Sequence, residues 1–287
     1  MPRTARRTSG LIFTAFLGLT ACQTVTPGTD SPPTSVAPAI ISGPVNVGTF
    51  TDLPGFAQLT PGTNNRGGFD VELHEWLGNH VSPTFIPVPV DLTVDERIRA
   101  LEEGRVKLVV ATFSITDERR KSIGFAGPYM ISYQGVMVRA GDDRIQTIND
   151  LAGKTVCVLS ESTGLSQLKN GSLKNQISIT EEKGHKGCTD RLVNHQVDAI
   201  STDAIVLEGL AHEDPRNLSV VKNLTFGAQE RYGIGLPHGD IATCETMTDK
   251  LREFITSGSW NTFFDLYFPN LPPEQYKPDP YKLDPCK

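Results

Sequence analysis

The chain has 287 residues, of which 38% are hydrophobic, and a formal net charge of −6. This acidic balance argues against a nucleic-acid-binding protein, because such proteins present basic surfaces to the phosphate backbone. Beyond the N-terminal segment no apolar run reaches 18 residues, so the sequence predicts no membrane-spanning helix.

Residues 1–21 have the pattern of a lipoprotein signal peptide. Three arginines precede a short apolar stretch, Leu11–Leu19, and the run Leu-Thr-Ala-Cys ends at Cys22. We expect cleavage before Cys22 and lipidation of its thiol. The alternative is an ordinary secretory signal cleaved at the same bond. Removal of residues 1–21 leaves 24 Lys and Arg against 33 Asp and Glu, which gives the mature chain a formal net charge of −9.

Residues 22–42 are rich in Thr, Pro and Ser and carry hardly any charge. This composition is typical of an extended tether, which would hold a globular body away from the membrane surface. The body that follows, up to Phe268, is long enough for two modest domains.

The body alternates between strand-like and helix-like segments. Strands are predicted at 45–50, 85–90, 106–111, 155–159, 177–180 and 197–200, and helices at 68–77, 94–103, 163–169 and 186–195. Strands that alternate with helices are typical of mostly parallel sheets covered on both faces. The predicted fold class is therefore α/β.

Two strand ends carry groups of opposite charge. One strand is followed by Thr112, Ser114 and then Arg119, and another ends on Asp203. Small ligands bind beyond the carboxyl ends of strands in open α/β sheets. A guanidinium beside hydroxyl and N–H groups suits a carboxylate, and Asp203 suits an ammonium group, so the pattern favours an α-amino acid. The alternative is a strand followed by a solvated, charged turn.

Seven short motifs follow one another along the body. They are Asp52-Leu-Pro-Gly55, Gly68-Phe-Asp-Val71, Ser114-Ile-Thr-Asp-Glu-Arg-Arg120, Phe125-Ala-Gly-Pro-Tyr129, Leu151-Ala-Gly-Lys154, Ser201-Thr-Asp203 and Gly258-Ser-Trp260. With these motifs in this order, the chain resembles the extracytoplasmic solute-binding proteins, family 3, of polar amino acid ABC transporters. The resemblance is greatest to glutamate- and glutamine-binding lipoproteins of actinobacteria.

The resemblance implies a two-lobed type 2 periplasmic-binding (Venus-flytrap) fold. Each lobe would contain a mostly parallel sheet flanked by helices, and two crossovers would form the hinge. The implied boundaries are 43–129 and 232–268 for lobe 1, 135–226 for lobe 2, 130–134 and 227–231 for the crossovers, and 269–287 for a Pro-rich tail packed on lobe 1.

The resemblance also implies the ligand contacts. Arg119 would bind the α-carboxylate and Asp203 the α-ammonium group, whereas the adjacent Arg120 is expected to face solvent. The carboxylate side of the pocket would be completed by four hydroxyl residues: Thr112, Ser114, Ser162 and Thr163. The last two open a predicted helix, whose N-terminus favours anions.

Three further residues are candidate ligand contacts. Phe50 would cover the stem of the ligand, with core packing as its alternative. Glu161 stands where relatives often have glycine. If Glu161 points into the pocket, it would disfavour an acidic ligand side chain. The alternative is that Glu161 is a solvated loop residue without a role in binding. Asp52, from the first motif, completes this candidate set.

Besides Cys22 the chain has four cysteines, an even number that suits an oxidising compartment and allows three connectivities. The resemblance implies a disulfide bond between Cys157 and Cys188, which leaves Cys244 and Cys286 for a second bond. Free thiols are the alternative. The cysteines and histidines have no zinc-type spacing, so no metal site is predicted.

The sequence lacks the motifs of a nucleophile elbow, a zinc protease or a phosphate loop, so we expect no enzyme and no cofactor. The resemblance implies a monomer that is lipid-anchored on the extracytoplasmic face of the cell membrane. It would deliver a polar amino acid of the glutamate, glutamine, aspartate or asparagine type to an ABC permease. Two alternatives are a sensor lipoprotein that signals to a membrane receptor or kinase, and a cyclohexadienyl-type dehydratase using Glu161 as its acid or base.

Overall fold

The computed structural model describes residues 41–287. Cys22, the predicted signal peptide and all but the last two residues of the predicted tether lie outside this range. The described part contains an eight-stranded sheet, a three-stranded sheet and seven α-helices, which confirms the α/β class. None of the helices formed by residues 41–287 has the length and apolar character needed to cross a membrane.

The elements follow one another in this order. The strands are β1 (Gly43–Thr49), β2 (Asp52–Leu53), β3 (Ala57–Leu59), β4 (Arg66–Gly67), β5 (Phe85–Asp91), β6 (Leu108–Val109), β7 (Ile123–Arg139), β8 (Thr155–Leu159), β9 (Ser178–Glu182), β10 (Ala199–Asp203) and β11 (Leu218–Pro237). The helices are α1 (Phe69–His80), α2 (Arg97–Glu102), α3 (Thr163–Asn170), α4 (His185–Val193), α5 (Ala204–Glu213), α6 (Ile241–Thr256) and α7 (Ser259–Tyr267).

The large sheet has two parallel parts joined through its centre. Its strand order is β5-β1-β6-β11-β7-β10-β8-β9. In one part β1 pairs in parallel with β5 and β6, and in the other β8 pairs in parallel with β9 and β10. The central strands β7 and β11, of 17 and 20 residues, are antiparallel to each other and link the two parts.

The predicted crossovers therefore lie inside long strands and not in separate linkers. Residues 130–134 belong to β7, and residues 227–231 belong to β11. The pairing of β7 with β11 shifts register three times, and two of these shifts flank Glu230. Such irregularities bend and twist a strand locally.

Helix packing follows the spacing of apolar residues. In α1, Phe69, Leu73 and Leu77 recur every four residues and are fully buried. This spacing puts all three on one face of the helix, which packs against the sheet.

The strand predicted at 106–111 is shorter in the structure, where β6 contains only Leu108 and Val109. These are the residues that pair with β1, and the backbone turns soon afterwards because Thr112 has a φ of 39°. The predicted helix 94–103 is also divided, into a 3₁₀ turn at Val94–Glu96 and then α2.

Both predicted disulfide bonds are confirmed. Cys157–Cys188 joins β8 to α4, and Cys244–Cys286 joins α6 to the C-terminal tail. The first pair is buried, whereas Cys286 is partly exposed.

The C-terminal tail contacts both central strands. The carbonyl of Tyr276 accepts the N–H of Ile131 at 2.9 Å, and Asp284 forms ion pairs with Arg120 (2.9 Å) and Arg231. The expectation that Arg120 faces solvent is therefore wrong, since only 12% of its side chain is exposed. The cause is the returning tail, which covers this part of the surface.

Candidate functional site

Arg119 lies at the start of a short 3₁₀ turn (Arg119–Lys121) and is 8% exposed. Its Nη1 donates to the carbonyl of Ser114 at 2.7 Å, and its Nη2 donates to the carbonyl of Glu161 at 2.9 Å. The guanidinium also lies over the ring of Phe113, 4.9 Å from its centroid. A guanidinium has five N–H donors, so these contacts orient the group and leave donors for a ligand.

Thr112 is held in an unusual backbone conformation next to Arg119. A φ of 39° is uncommon for a β-branched residue, and such strain concentrates at binding sites. The fully buried Asp70 stabilises it by accepting the N–H of Thr112 at 2.9 Å and the hydroxyl of Tyr129 at 2.8 Å. Burial raises the pKa of Asp70 to about 7, although these hydrogen bonds oppose the rise.

Asp203 is the last residue of β10, directly before α5, and it is 6% exposed. Its carboxylate accepts hydrogen bonds from the amide of Gln134 and the hydroxyl of Tyr232. Burial and the nearby charge of Glu230 raise the pKa of Asp203 to about 8, against the hydrogen bond from Tyr232 and the charges of two arginines.

The N-terminus of α3 supplies a third group. Ser162 is the N-cap residue, and its hydroxyl accepts the N–H of Leu165 at 3.1 Å. Thr163 opens the helix. Backbone N–H groups at this end of a helix favour an anion.

The fold brings these groups to one cavity. Six of the nine predicted ligand contacts line it: Thr112, Ser114, Arg119, Ser162, Thr163 and Asp203. The other lining residues, which are not among the predicted ligand contacts, are Val94, Arg97, Leu159, His185, Thr202 and Val206.

The other three predicted contacts lie outside this lining. Phe50 is buried and packs edge-on against His185, with ring centroids 5.2 Å apart. Asp52 contacts His185 and Lys186 at the start of α4. Glu161 is solvent-exposed, and only its backbone carbonyl reaches Arg119. Its φ of 59° fits a position where glycine is favoured.

Arg97 is a second buried cation in the cavity lining, 4% exposed. Its Nε and Nη1 donate to backbone carbonyls of Val94 (3.1 Å), Ala111 (2.9 Å) and Thr112 (3.2 Å). Burial and the charge of Arg119 lower its pKa to about 9. Within residues 41–287 no carboxylate forms an ion pair with it, and its Nη2 has no acceptor.

No sequence signal distinguished Arg97 from a solvated helix residue, because arginine on a short helix usually faces water. The sequence around His185 did not indicate a cavity residue either. Both residues reach the cavity only because α2 and the start of α4 pack around it. Among residues 41–287 there is no group of three or more His, Cys, Asp or Glu side chains placed to hold a metal ion.

Residues 45–270 match the bacterial extracellular solute-binding proteins, family 3. The chain belongs to this family. A glutamate-binding protein of Corynebacterium efficiens is 30% identical to this solute-binding protein over 272 residues, which cover 91% of this chain and 89% of the relative. A glutamine-binding protein of Geobacillus stearothermophilus is 28% identical over 209 residues, covering 72% of this chain and 78% of the relative.

Solved structures agree with this assignment. An ancestral arginine-binding protein bound to glutamine superposes with a TM-score of 0.72 at 26% identity, covering 79% of this chain and 99% of that protein. The fold is therefore the type 2 periplasmic-binding fold that the motifs implied. The resemblance to actinobacterial amino acid-binding proteins is also confirmed.

Proposed function

We propose that this solute-binding protein captures a free L-amino acid with an acidic side chain, glutamate or aspartate, and delivers it to an ABC permease. The observation that carries the proposal is the presence of two buried guanidiniums and a buried carboxylate in the lining of one cavity. These three charges complement the two carboxylates and the single ammonium group of an acidic amino acid.

Arg119 binds the α-carboxylate of the ligand, and Asp203 binds its α-ammonium group. The remaining N–H groups of Arg119, the hydroxyls of Thr112 and Ser114, and the N-terminus of α3 surround the α-carboxylate. Asp203 accepts hydrogen bonds from the α-ammonium group, which holds the Asp203 carboxylate in its charged form.

Arg97 binds the second carboxylate. Its available donors and the absence of an ion-pair partner within residues 41–287 leave a buried positive charge that an acidic side chain would neutralise. The exposed Glu161 does not oppose an acidic ligand from inside the cavity. The glutamate-binding relative from Corynebacterium efficiens is consistent with this choice.

Closure about β7 and β11 gives the protein the shape that the permease recognises. Lobe 1 (43–129 and 232–268) and lobe 2 (135–226) rotate about residues 130–134 and 227–231, and a ligand that touches both lobes favours the closed form. Support comes from the two central strands, which join the two parallel parts of the sheet. A lipid on Cys22 keeps the protein, as a monomer, at the extracytoplasmic face of the membrane.

Family membership favours transport over the two alternatives. The relatives are solute-binding proteins, including glutamate- and glutamine-binding ones. Glu161, the residue a dehydratase would need, is exposed and outside the cavity lining.

A thermal-shift screen of the twenty amino acids on the purified protein tests the proposal. A ligand at 100 times its Kd stabilises the native state by about 2.7 kcal/mol, or roughly 5 to 10 °C for a protein of this size. We expect glutamate or aspartate to give the largest shift. No shift with any amino acid would contradict the function, and a larger shift with glutamine than with glutamate would contradict the acidic side chain.

A further inference from the structure

Glu230 is a buried acid beside the cavity that the ligand contacts do not include. It lies in β11, inside the segment predicted as a crossover, and is 4% exposed. Its Oε1 accepts the amide N–H of Gln134 at 3.0 Å and the amide N–H of Gln167 at 2.8 Å. Gln134 comes from β7 and Gln167 from α3, so Glu230 is held from two other elements.

Gln134 connects this acid to the site. The same Nε2 that donates to Glu230 also donates to Asp203, and Gln134 is fully buried. The two N–H groups of one amide thus point at two carboxylates. This arrangement orients Asp203 and places a second negative charge directly behind it.

The charges around Asp203 are few. Glu230 and Tyr232 face it from β11, Arg97 from α2 and Arg119 from its 3₁₀ turn. His185 lines the same cavity. Within residues 41–287 no Lys, Arg or His nitrogen lies within 4.0 Å of either carboxylate, so the negative charge of the pair is not cancelled by direct contact.

We propose that Glu230 is a positioning and specificity-determining residue, which holds Asp203 through Gln134 and makes the site select an α-ammonium group. The inference rests on the proposed function. A ligand without the ammonium group offers Asp203 no N–H donors and no positive charge beside Glu230, so it binds less tightly than the amino acid.

The pair also links affinity to pH. Burial and Glu230 raise the pKa of Asp203 to about 8, so at neutral pH much of the empty site must lose a proton before it binds an ammonium group. Affinity therefore rises as the pH approaches about 8. Removing the charge of Glu230 lowers the pKa of Asp203 and moves this rise to lower pH.

The test is the Kd for L-glutamate between about pH 6 and pH 8.5, measured by calorimetry on wild type and Glu230→Gln. The glutamine variant can still accept both amide hydrogen bonds, so it removes the charge with little change in shape. We expect the midpoint of the pH dependence to move to lower pH, because the charge of Glu230 raises the pKa of Asp203. At pH 8.5, where Asp203 is mostly ionised in both proteins, the preference for glutamate over glutarate, the same diacid without the amino group, should fall, because the variant lacks the second negative charge near the ammonium group.

Two variants complete the test. Glu230→Asp keeps the charge and should keep the wild-type midpoint, and Glu102→Gln on the exposed side of α2 should leave both measurements unchanged. If Glu230→Gln does not fold, Glu230→Ser, which leaves room for water, answers the same question.

A purely structural role would weaken binding equally at every pH, with the same midpoint and the same preference, and would overturn the inference. Equal shifts in Glu230→Asp and Glu230→Gln would overturn it too. Failure of the proposed function is distinguishable from these results, because wild type itself would then bind no amino acid.

Discussion

Asp52 and His185, which are 133 residues apart in sequence, meet at the edge of the cavity, with Oδ1 and Nδ1 3.3 Å apart. The other oxygen of Asp52 accepts the backbone N–H of Lys186 at 3.2 Å. The N-cap residue of α4 is Gly184, which has no side chain to accept that N–H. Asp52, from β2 of the three-stranded sheet, thus caps α4 and joins the two proposed lobes across their cleft.

Asp52→Ala should weaken ligand binding by faster dissociation. Loss of an N-cap costs about 1 kcal/mol, roughly fivefold in affinity, and the contact exists only when the two lobes touch. Stopped-flow or surface-based kinetics should show a higher dissociation rate and an unchanged association rate. Lys183→Ala is the matched control, because its ion pair with Asp95 spans the same gap but Lys183 is 72% exposed. A slower association rate in Asp52→Ala would contradict this role.

The Asp52 carboxylate should stay ionised over the neutral range. Burial pushes its pKa upward, but the hydrogen bond and charge of His185, together with backbone N–H groups of His185 and Lys186, outweigh burial and hold the pKa at about 2, below its ordinary value of 3.8. The contact therefore stabilises the closed form above about pH 4 and is lost as the pH falls toward 2.

Arg119→Ala and Asp203→Ala should each lose most ligand affinity. Each change leaves the opposite charge of the ligand unpaired in a buried cavity, which costs about 2 to 5 kcal/mol, on the order of 30- to 5,000-fold in Kd. Arg119→Lys should also bind poorly, because an ammonium group cannot reproduce the fork of N–H donors. Calorimetry measures each Kd.

The control for these variants is Arg99→Ala, since Arg99 lies on α2 with 62% of its side chain exposed. Arg120→Ala is unsuitable because Arg120 is paired with Asp284. Near wild-type binding by the Arg119 or Asp203 alanine variants would mean that the ligand binds elsewhere.

Arg97→Met should change selectivity more than it changes overall binding. A charged hydrogen bond to a carboxylate is worth about 1.5 to 3 kcal/mol, so affinity for glutamate should fall by roughly 10- to 150-fold. Glutamine lacks the second charge and should lose much less. Competition between the two amino acids on wild type and variant gives the ratio directly. An equal loss for both would assign Arg97 a structural role.

The two disulfide bonds should differ in their resistance to reductant. Cys157 and Cys188 are at most 1% exposed, whereas Cys286 is partly exposed, and thiol–disulfide exchange requires access to sulfur. Mild reduction of the native protein followed by alkylation and mass spectrometry should label Cys244 and Cys286 first. Replacing the Cys157–Cys188 pair by serine should cost roughly 3 to 4 kcal/mol of unfolding free energy on the chain-entropy view. First labelling of Cys157 would contradict the prediction.

Cys22→Ser should release the protein from the membrane fraction. The Leu-Thr-Ala-Cys run predicts that the thiol of Cys22 carries lipid, and a hydroxyl cannot take its place. Detergent-phase partitioning of wild type and variant makes the comparison. Identical partitioning would favour an ordinary secretory signal.

Much of the architecture could be predicted from local pattern. Apolar spacing located β5, β8, α1 and α3 to within a few residues, because each pattern reflects a face that must be buried. The strand ends at Thr112 and Asp203 predicted two residues of the cavity lining, since small ligands bind beyond the carboxyl ends of strands in open α/β sheets. The cysteine pairing followed from family resemblance and not from spacing.

Only the tertiary structure decided which charged residues are buried. Arg97, His185, Gln134 and Glu230 look like ordinary surface residues in the sequence, and Arg120 looks like a better candidate for exposure than Arg119. Burial depends on what other segments pack against a residue, as when the returning tail covers Arg120. The contacts of Asp52 with His185 and of Gln134 with Glu230 span 133 and 96 residues. Local sequence sets residue types and periodicity, but the sheet order and the course of β7 and β11 bring these distant groups within hydrogen-bonding distance.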